Sequence, residues 1–550
     1  MPRHFCTPHS LSTSALSGKQ PVFHRLVKPL LVSLLLSWNS PLLLAQSSPS
    51  EVIINRPDNI ELPTLGDAAS EDLSPAAERR IGVQAMQQIR QDPDYIDDGL
   101  LTDYLNGFAY QLLSAARVSD IGLGASDFEL FGVRDTNINA FAMPGGFIGV
   151  NTGLLVAAQT ESELASVLAH ECGHVLQRHL ARQLGLQKQT SPIAIAALIL
   201  ALLAARSNPD AAIGGALTGQ AAALQKQLNF SRDAEREADR VGFQLLRDAG
   251  YDVNGMPGFF TRLQNATRAY DSAAPVYLRT HPLTTERIAD IQNRARNARG
   301  KPYTDSPEFV LLKARARVLQ TVSVQTQLDA RNYFDNQLKR SNLSPNDELG
   351  VRYGIALLDL RDNRVAVAKA ALPDLQNRLK QIAKRSSPVL EELGIEIAMQ
   401  DNRANDAVKL AENARRQFPL SRALSLDYAR ALQKADRHAE AVAYLRDQVQ
   451  LYRQEGALWD LLATSYDALH KRSLQMAASA ESAMLKGQTL GAVQLLENAR
   501  RVNDADFYDM SIIDSRYKEV QNKAREELAE RGNNRRNIAE NSNTLLEHHH

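Results

Sequence analysis

His170-Glu171-Cys172-Gly173-His174 sets two histidines four positions apart, with a glutamate directly after the first. Ala165 to Ala169 before it and Val175-Leu176 after it continue a helical pattern, so both imidazoles leave one face of a helix. Imidazoles one turn apart can ligate a single Zn2+, one ion per chain, and Glu171 borders the same site. In such a centre zinc acidifies a water and polarises the scissile carbonyl. The glutamate takes the water's proton and later delivers it to the leaving amine. A five-residue match also arises by chance, so the third ligand decides the class.

A metzincin would continue with glycine at 177 and histidine at 180, where this chain has Gln177 and Leu180. His179 lies nine residues past His170, about half a turn out of phase in a straight helix, so it is expected beyond the metal's own ligands or on the surface. Ser231 to Asp239 is a better source. Glu235 and Asp239 are four apart, so one carboxylate could bind zinc while the other accepts an N–H from a ligand histidine, with Glu237 pointing elsewhere. By spacing alone a charged helix face fits equally well. Cys172 is turned about 200° from His170 and reads as a small buried side chain.

Taken together, His170-Glu171-Cys172-Gly173-His174, Glu235-x-x-Ala238-Asp239 and Asn139-Ala140-Phe141-Ala142-x-Pro144-Gly145-Gly146 resemble peptidase family M48, which includes the CAAX prenyl endopeptidases. The resemblance implies Glu235 as third zinc ligand beside His170 and His174, with Glu171 and Asp239 serving the chemistry. It implies His281, in His281-Pro282-Leu283-Thr284, as a fourth ligand that holds the enzyme latent, and Arg287 as a nearby positive charge. A Pro-adjacent helix start is the plain alternative for His281. Asn139, Ala140, Phe141 and Ala142 become an edge strand that pairs with extended substrate, an ordinary Pro-Gly turn being the alternative.

These residues need a helix from Glu161 through Leu180, a carboxylate-bearing helix after Ser231, and a small hairpin or sheet from Phe128–Val133 and Phe147–Val150. Ser74-Pro75 starts a helix, and a second runs from Leu100 to Ala116. Past Pro302 the pattern changes. Ala407 and Ala441 are 34 residues apart, the tetratricopeptide period, with Ala414 and Pro419 in matching places. Trp459, Leu462, Ala463 and Tyr466 open another copy whose next helix looks displaced; Tyr353, Gly354, Leu357 and Ala366 open an earlier one, and Ser479, Ala480, Ala483 and Ala492 a later one. The expected fold is mostly α: a helical zincin-type metallopeptidase domain with a small β-sheet (70–303), then an α-solenoid of such repeats (304–510) with a concave binding surface. A polar tail, as frayed helix or disordered chain, follows over 511–545, and 546–550 look like an expression tag.

Residues 1–46 carry basic residues, then a short broken apolar run from Pro29 to Leu44, and read as a signal peptide for export to the periplasm, with a retained anchor as the alternative. An extended arm spans 47–69. Lys plus Arg equals Asp plus Glu at 63 each, with no basic stripe, which argues against nucleic acid. Ile193 to Ala205 is apolar all round yet too short to span a bilayer, and suggests a peripheral membrane contact, a mobile gate or a core helix. The family's exported, repeat-bearing members imply misassembled outer-membrane β-barrel proteins as substrates and their assembly machinery as partner. The rival readings are a chaperone or assembly scaffold with a latent or vestigial zinc site, and a purely structural zinc site.

Overall fold

Ser74 accepts the Ala77 N–H and Pro75 sits in the first turn, so helix α1 (Pro75–Ile89) begins where the cap-and-proline pattern puts it. The computed structural model describes residues 73–115, 127–185, 231–269, 276–298, 302–502 and 504–547. The signal peptide, the arm over 47–69, the apolar run Ile193 to Ala205 and the histidines of the tag lie outside the described residues.

After α1 come β1 (Tyr95–Ile96), α2 (Gly99–Ala115), β2 (Glu129–Val133), β3 (Ala140–Ala142) and β4 (Phe147–Asn151), the strands forming one sheet in the order β1-β2-β4-β3. The two apolar runs do not form a hairpin: β2 and β4 lie parallel, Glu129 opposite Phe147 and Val133 opposite Asn151. Their connection supplies β3, antiparallel to β4 at the sheet's edge. The turn from β3 to β4 requires its glycines. Gly145 and Gly146 have φ of +76° and +89°, and a Cβ there would meet the Arg79 Cα at 2.6 Å or the Asp127 carbonyl oxygen at 2.4 Å. β1, two residues long, has no periodicity to reveal it in sequence.

Next are α3 (Thr152–Ala157), α4 (Glu161–Leu176), α5 (His179–Gly185), α6 (Arg232–Asp248), α7 (Gly255–Ala269), α8 (Val276–Thr280) and α9 (Thr285–Asn297). Every residue of α4 is buried, making it the axis of this part. Thr160 caps it through the Glu163 N–H at 3.1 Å, while the Glu163 carboxylate takes the Gln159 N–H at 2.6 Å. The helix does not run on to Leu180 as expected. It stops at Leu176, Arg178 takes φ of +51° with its guanidinium paired to buried Glu78 at 3.1 Å, and α5 restarts at His179.

Helices then follow one another: α10 (Pro307–Leu319), α11 (Val324–Leu338), α12 (Pro345–Arg361), α13 (Val365–Ala383), α14 (Pro388–Gln400), α15 (Ala404–Gln417), α16 (Arg422–Lys434), α17 (His438–Leu451), α18 (Gly456–Ala468), α19 (Arg472–Leu485), α20 (Thr489–Val502) and α21 (Phe507–Glu547). Asn402, Asp436 and His470, each 34 positions after the last, take positive φ in the turns between paired helices. Ala407, Ala414 and Ala441 are fully buried, as close helix packing requires. The helix after Trp459 is in phase after all: α19 begins 34 residues after α17, with Gln475 where the earlier copies carry alanine. The copy at Ala480, Ala483 and Ala492 shares α19 with the Trp459 copy, so they form one continuous run of helices. The stretch after 511 is helical, with Ile513 and Val520 buried against α19 and α20 and Ala524 also buried.

Buried Arg315 on α10 ties the repeats to the first part, holding Asp98 at 2.7 Å, Glu392 at 2.8 Å and the Tyr353 hydroxyl at 2.9 Å. A second tie joins α2 to α16, where Asp103 accepts the Ser421 hydroxyl at 2.8 Å and the Ala423 N–H at 3.2 Å.

Candidate active site

Two glycines set the distance between α4 and α6. A Cβ on Gly173 would meet the Ala238 carbonyl oxygen at 2.9 Å, and one on Gly242 would meet the Ala169 backbone at the same distance. The close approach carries Glu235, one turn into α6, to His170 and His174 on α4, with carboxylate oxygens 3.5 Å from the Nε2 of each. The two Nε2 atoms are 3.0 Å apart. His281, just past α8, adds Nδ1 at 3.0 Å from Glu235 and 3.4 Å from His170 Nε2. His170, His174, Glu235 and His281 thus offer four ligand atoms, all within 4.8 Å of one another, and all four residues are buried.

Tetrahedral donors around zinc stand about 3.3 Å apart, so this set fits such an ion. Imidazole lone pairs turned on one another in a buried space also call for a cation between them. In the metal-free cluster, burial lowers the affinity of His170 for a proton, but hydrogen bonds to Asp239 and Glu235 outweigh it and lift its pKa to about 9. Burial and the charge of His170 drive His174 well below the ordinary range. Burial alone would raise Glu235, yet the charge of His281 and the hydrogen bonds from His170 and His281 hold it well below.

A further ring of residues orients these donors. His170 Nδ1 lies 3.0 Å from Asp239, which accepts Arg287 Nε at 2.7 Å and Nη2 at 2.8 Å, while Arg287 Nη1 stands 2.7 Å from Glu235. His174 Nδ1 faces His179 Nδ1 at 2.8 Å, and His179 Nε2 faces Glu237 at 3.0 Å, which Arg182 also holds at 2.9 Å. His179 reaches this place because the helix breaks at Arg178, which resets its phase. Glu171 accepts the Ala142 N–H at 3.0 Å, so this carboxylate and the edge strand face one space. Burial raises its pKa, opposed by the charges of His281 and His170.

A profile of peptidase family M48 matches residues 109–295. The chain is 32% identical over 441 residues to the beta-barrel assembly-enhancing protease of Escherichia coli K12, an overlap covering 80% of this chain and 86% of that one. This chain belongs to peptidase family M48. The M48 chain is also 39% identical over 324 residues to a putative beta-barrel assembly-enhancing protease of Vibrio cholerae, covering 58% of this chain and 64% of that one. It is 30% identical over 234 residues to the mitochondrial metalloendopeptidase OMA1 of Schizosaccharomyces pombe, covering 42% and 65%.

As an M48 metalloendopeptidase the chain has one cluster among the described residues where a metal fits. The sequence-derived residues His170, Glu171, His174, Glu235, Asp239, His281 and Arg287 all meet there, and Ala142 of the edge strand touches Glu171. Asn139, although 1% exposed, makes no side-chain hydrogen bond among the described residues. His179, expected beyond the metal's own ligands or on the surface, takes the first of these places, between His174 and Glu237. Tyr277, which no motif marks, stacks its ring on His281 at 4.7 Å with 28° between planes. Its spacing of four from His281, on the Pro-bounded segment, was the available signal. No helix of the described residues is long and apolar enough to cross a membrane.

Proposed function

We propose that this protein is a periplasmic zinc endopeptidase that hydrolyses misassembled outer-membrane β-barrel proteins and assists their assembly. The observation that carries the catalytic reading is the convergence of His170, His174 and Glu235, from two helices locked together by glycines, beside the buried carboxylate of Glu171. His170, His174 and Glu235 would hold the zinc, and His281 would join them in a latent state. When bound, zinc supplies the positive charge that acidifies water and polarises a carbonyl oxygen. Glu171 accepts the water's proton and passes it to the leaving amine. Asp239 fixes the His170 ring through Nδ1, and Arg287 offsets the charge of Asp239 and Glu235. Substrate lies extended along β3, main chain to main chain, with Ala140 to Ala142 supplying the pairing.

The β-barrel substrates and the envelope setting rest on the relatives' names, the extent of the match through the repeats, and the leader read in residues 1–46. The helical repeats are tetratricopeptide units that deliver substrate or bind the assembly machinery.

Purified protein tests the reading with zinc analysis and digestion of casein and a misfolded outer-membrane barrel, with and without chelator. One zinc per chain and cleavage lost in Glu171→Gln are expected; full proteolysis by Glu171→Gln would remove the reading. Four protein donors also suit a structural zinc site, and His281→Ala separates the two. A latent enzyme gains activity and keeps its zinc, whereas a structural site loses the ion.

A further inference from the structure

Tyr277 is fully buried on α8, and its hydroxyl has no hydrogen-bond partner among the described residues. Nearly every buried polar atom in a folded protein is paired, because an orphaned donor gives up its bonds to water and gains none in return. The oxygen is therefore a cost that packing alone does not explain: a phenylalanine would fill the same space without it.

Its surroundings indicate what the hydroxyl serves. The ring lies on His281, and its neighbours include His170, 6.4 Å away between centroids, and Phe259 at 6.3 Å. The His281 N–H donates to the Tyr277 carbonyl at 2.8 Å, so the two side chains share one turn. A second buried atom without a hydrogen-bond partner is Glu171 Oε1, whose contact with His281 Nε2 is 3.6 Å. A donor on Tyr277 and an acceptor on Glu171, both beside His281, thus lack a hydrogen-bond partner among the described residues. That is the complement of a species carrying both a hydroxyl hydrogen and an oxyanion.

We infer that Tyr277 is a catalytic residue that donates a hydrogen bond to the oxyanion formed when water adds to the scissile carbonyl. In that step the water oxygen bonds to the carbonyl carbon, the carbonyl π pair moves onto its oxygen, and Glu171 receives the water's proton. Tyr277 keeps its proton throughout and stabilises the new charge from a site closed to water. When His281 leaves its place, the face of Tyr277 that it covers opens toward substrate. The inference rests on the reading of the site as a zinc endopeptidase.

The test is Tyr277→Phe, in the parent and in His281→Ala, with zinc content, thermal unfolding, kcat and KM, and calorimetric binding of a phosphinic pseudopeptide whose phosphinate imitates the oxyanion. Removing an unpaired oxygen should leave zinc content and unfolding temperature unchanged or slightly improved. The expected result is a fall in kcat of about 10²- to 10³-fold in both backgrounds with KM little changed. The pseudopeptide should bind at least tenfold more weakly, while a plain peptide, measured in Glu171→Gln, binds as before. A kcat within threefold of the parent, a loss confined to KM, or a loss absent from the His281→Ala background would overturn it; the last would make Tyr277 a support for His281. Should Glu171→Gln itself cleave normally, the endopeptidase reading fails and this inference falls with it, whereas the outcomes above overturn the inference alone.

Discussion

A Cβ placed on Gly242 would stand 2.9 Å from the Cα of His170, so the helix bearing Glu235 touches the histidine helix backbone to backbone. Gly173, inside the His-Glu-Cys-Gly-His motif, makes the reciprocal contact with Ala238. The separation of donors 65 positions apart in sequence is fixed by what these two residues lack.

Gly242→Ala should therefore push α6 outward, moving Glu235 from the histidines. Crowding of this kind costs about 1–3 kcal/mol, and denaturant unfolding of the metal-free protein measures it. A chelator competition should show weakened zinc binding in the same variant. Unchanged zinc affinity would mean that the helix spacing does not set the donor geometry.

Glu237 touches no candidate ligand, yet it holds His179, which faces His174. Glu237→Ala should lower zinc affinity by about 10- to 100-fold, the usual consequence of releasing a ligand histidine's support. Competition against a fluorescent zinc chelator reads this directly. Equal affinities in the variant and the parent would reduce the His179–Glu237 pair to packing.

Arg287 is 2% exposed and faces two buried carboxylates, Asp239 and Glu235. Arg287→Met keeps the bulk but strands both charges. The metal-free protein should lose about 3–5 kcal/mol in chemical denaturation. Added zinc should restore part of the loss by binding only the folded state.

Asp103 couples α2 to α16, and burial, opposed by the Ser421 hydroxyl and the Ala423 N–H, pushes its carboxyl up to about 6. Between the ordinary value near 3.9 and about 6, the folded protein holds a proton that the unfolded chain has released. On this group's account stability is greatest below that window and falls as pH rises through it, by about 3 kcal/mol at most. Asp103→Asn retains an acceptor for Ser421 and Ala423 and has no proton to lose. Its stability relative to the parent should rise from pH 4 to pH 7 in urea unfolding, and a flat difference would count against this assignment.

The sequence by itself determined the local chemistry. Ligand types, their spacing of one turn within α4 and within α6, the Thr160, Ser231 and Ser74 caps, and the 34-residue period are short-range properties set by 3.6 residues per turn. The phase of His179 was not legible in this way. It depends on Arg178 taking φ of +51° beside buried Glu78, 100 positions away, and no periodicity carries that information. Nor could the pattern tell a charged helix face from a ligand set at Glu235 and Asp239, since both have the same spacing. Only the tertiary structure decided where they stand, bringing α6 to α4 through two glycines so that Glu235 lies 3.5 Å from both histidines, and closing Arg287 over the carboxylates. Convergence of distant side chains follows from how helices pack, and packing is fixed by contacts between residues that the chain keeps far apart.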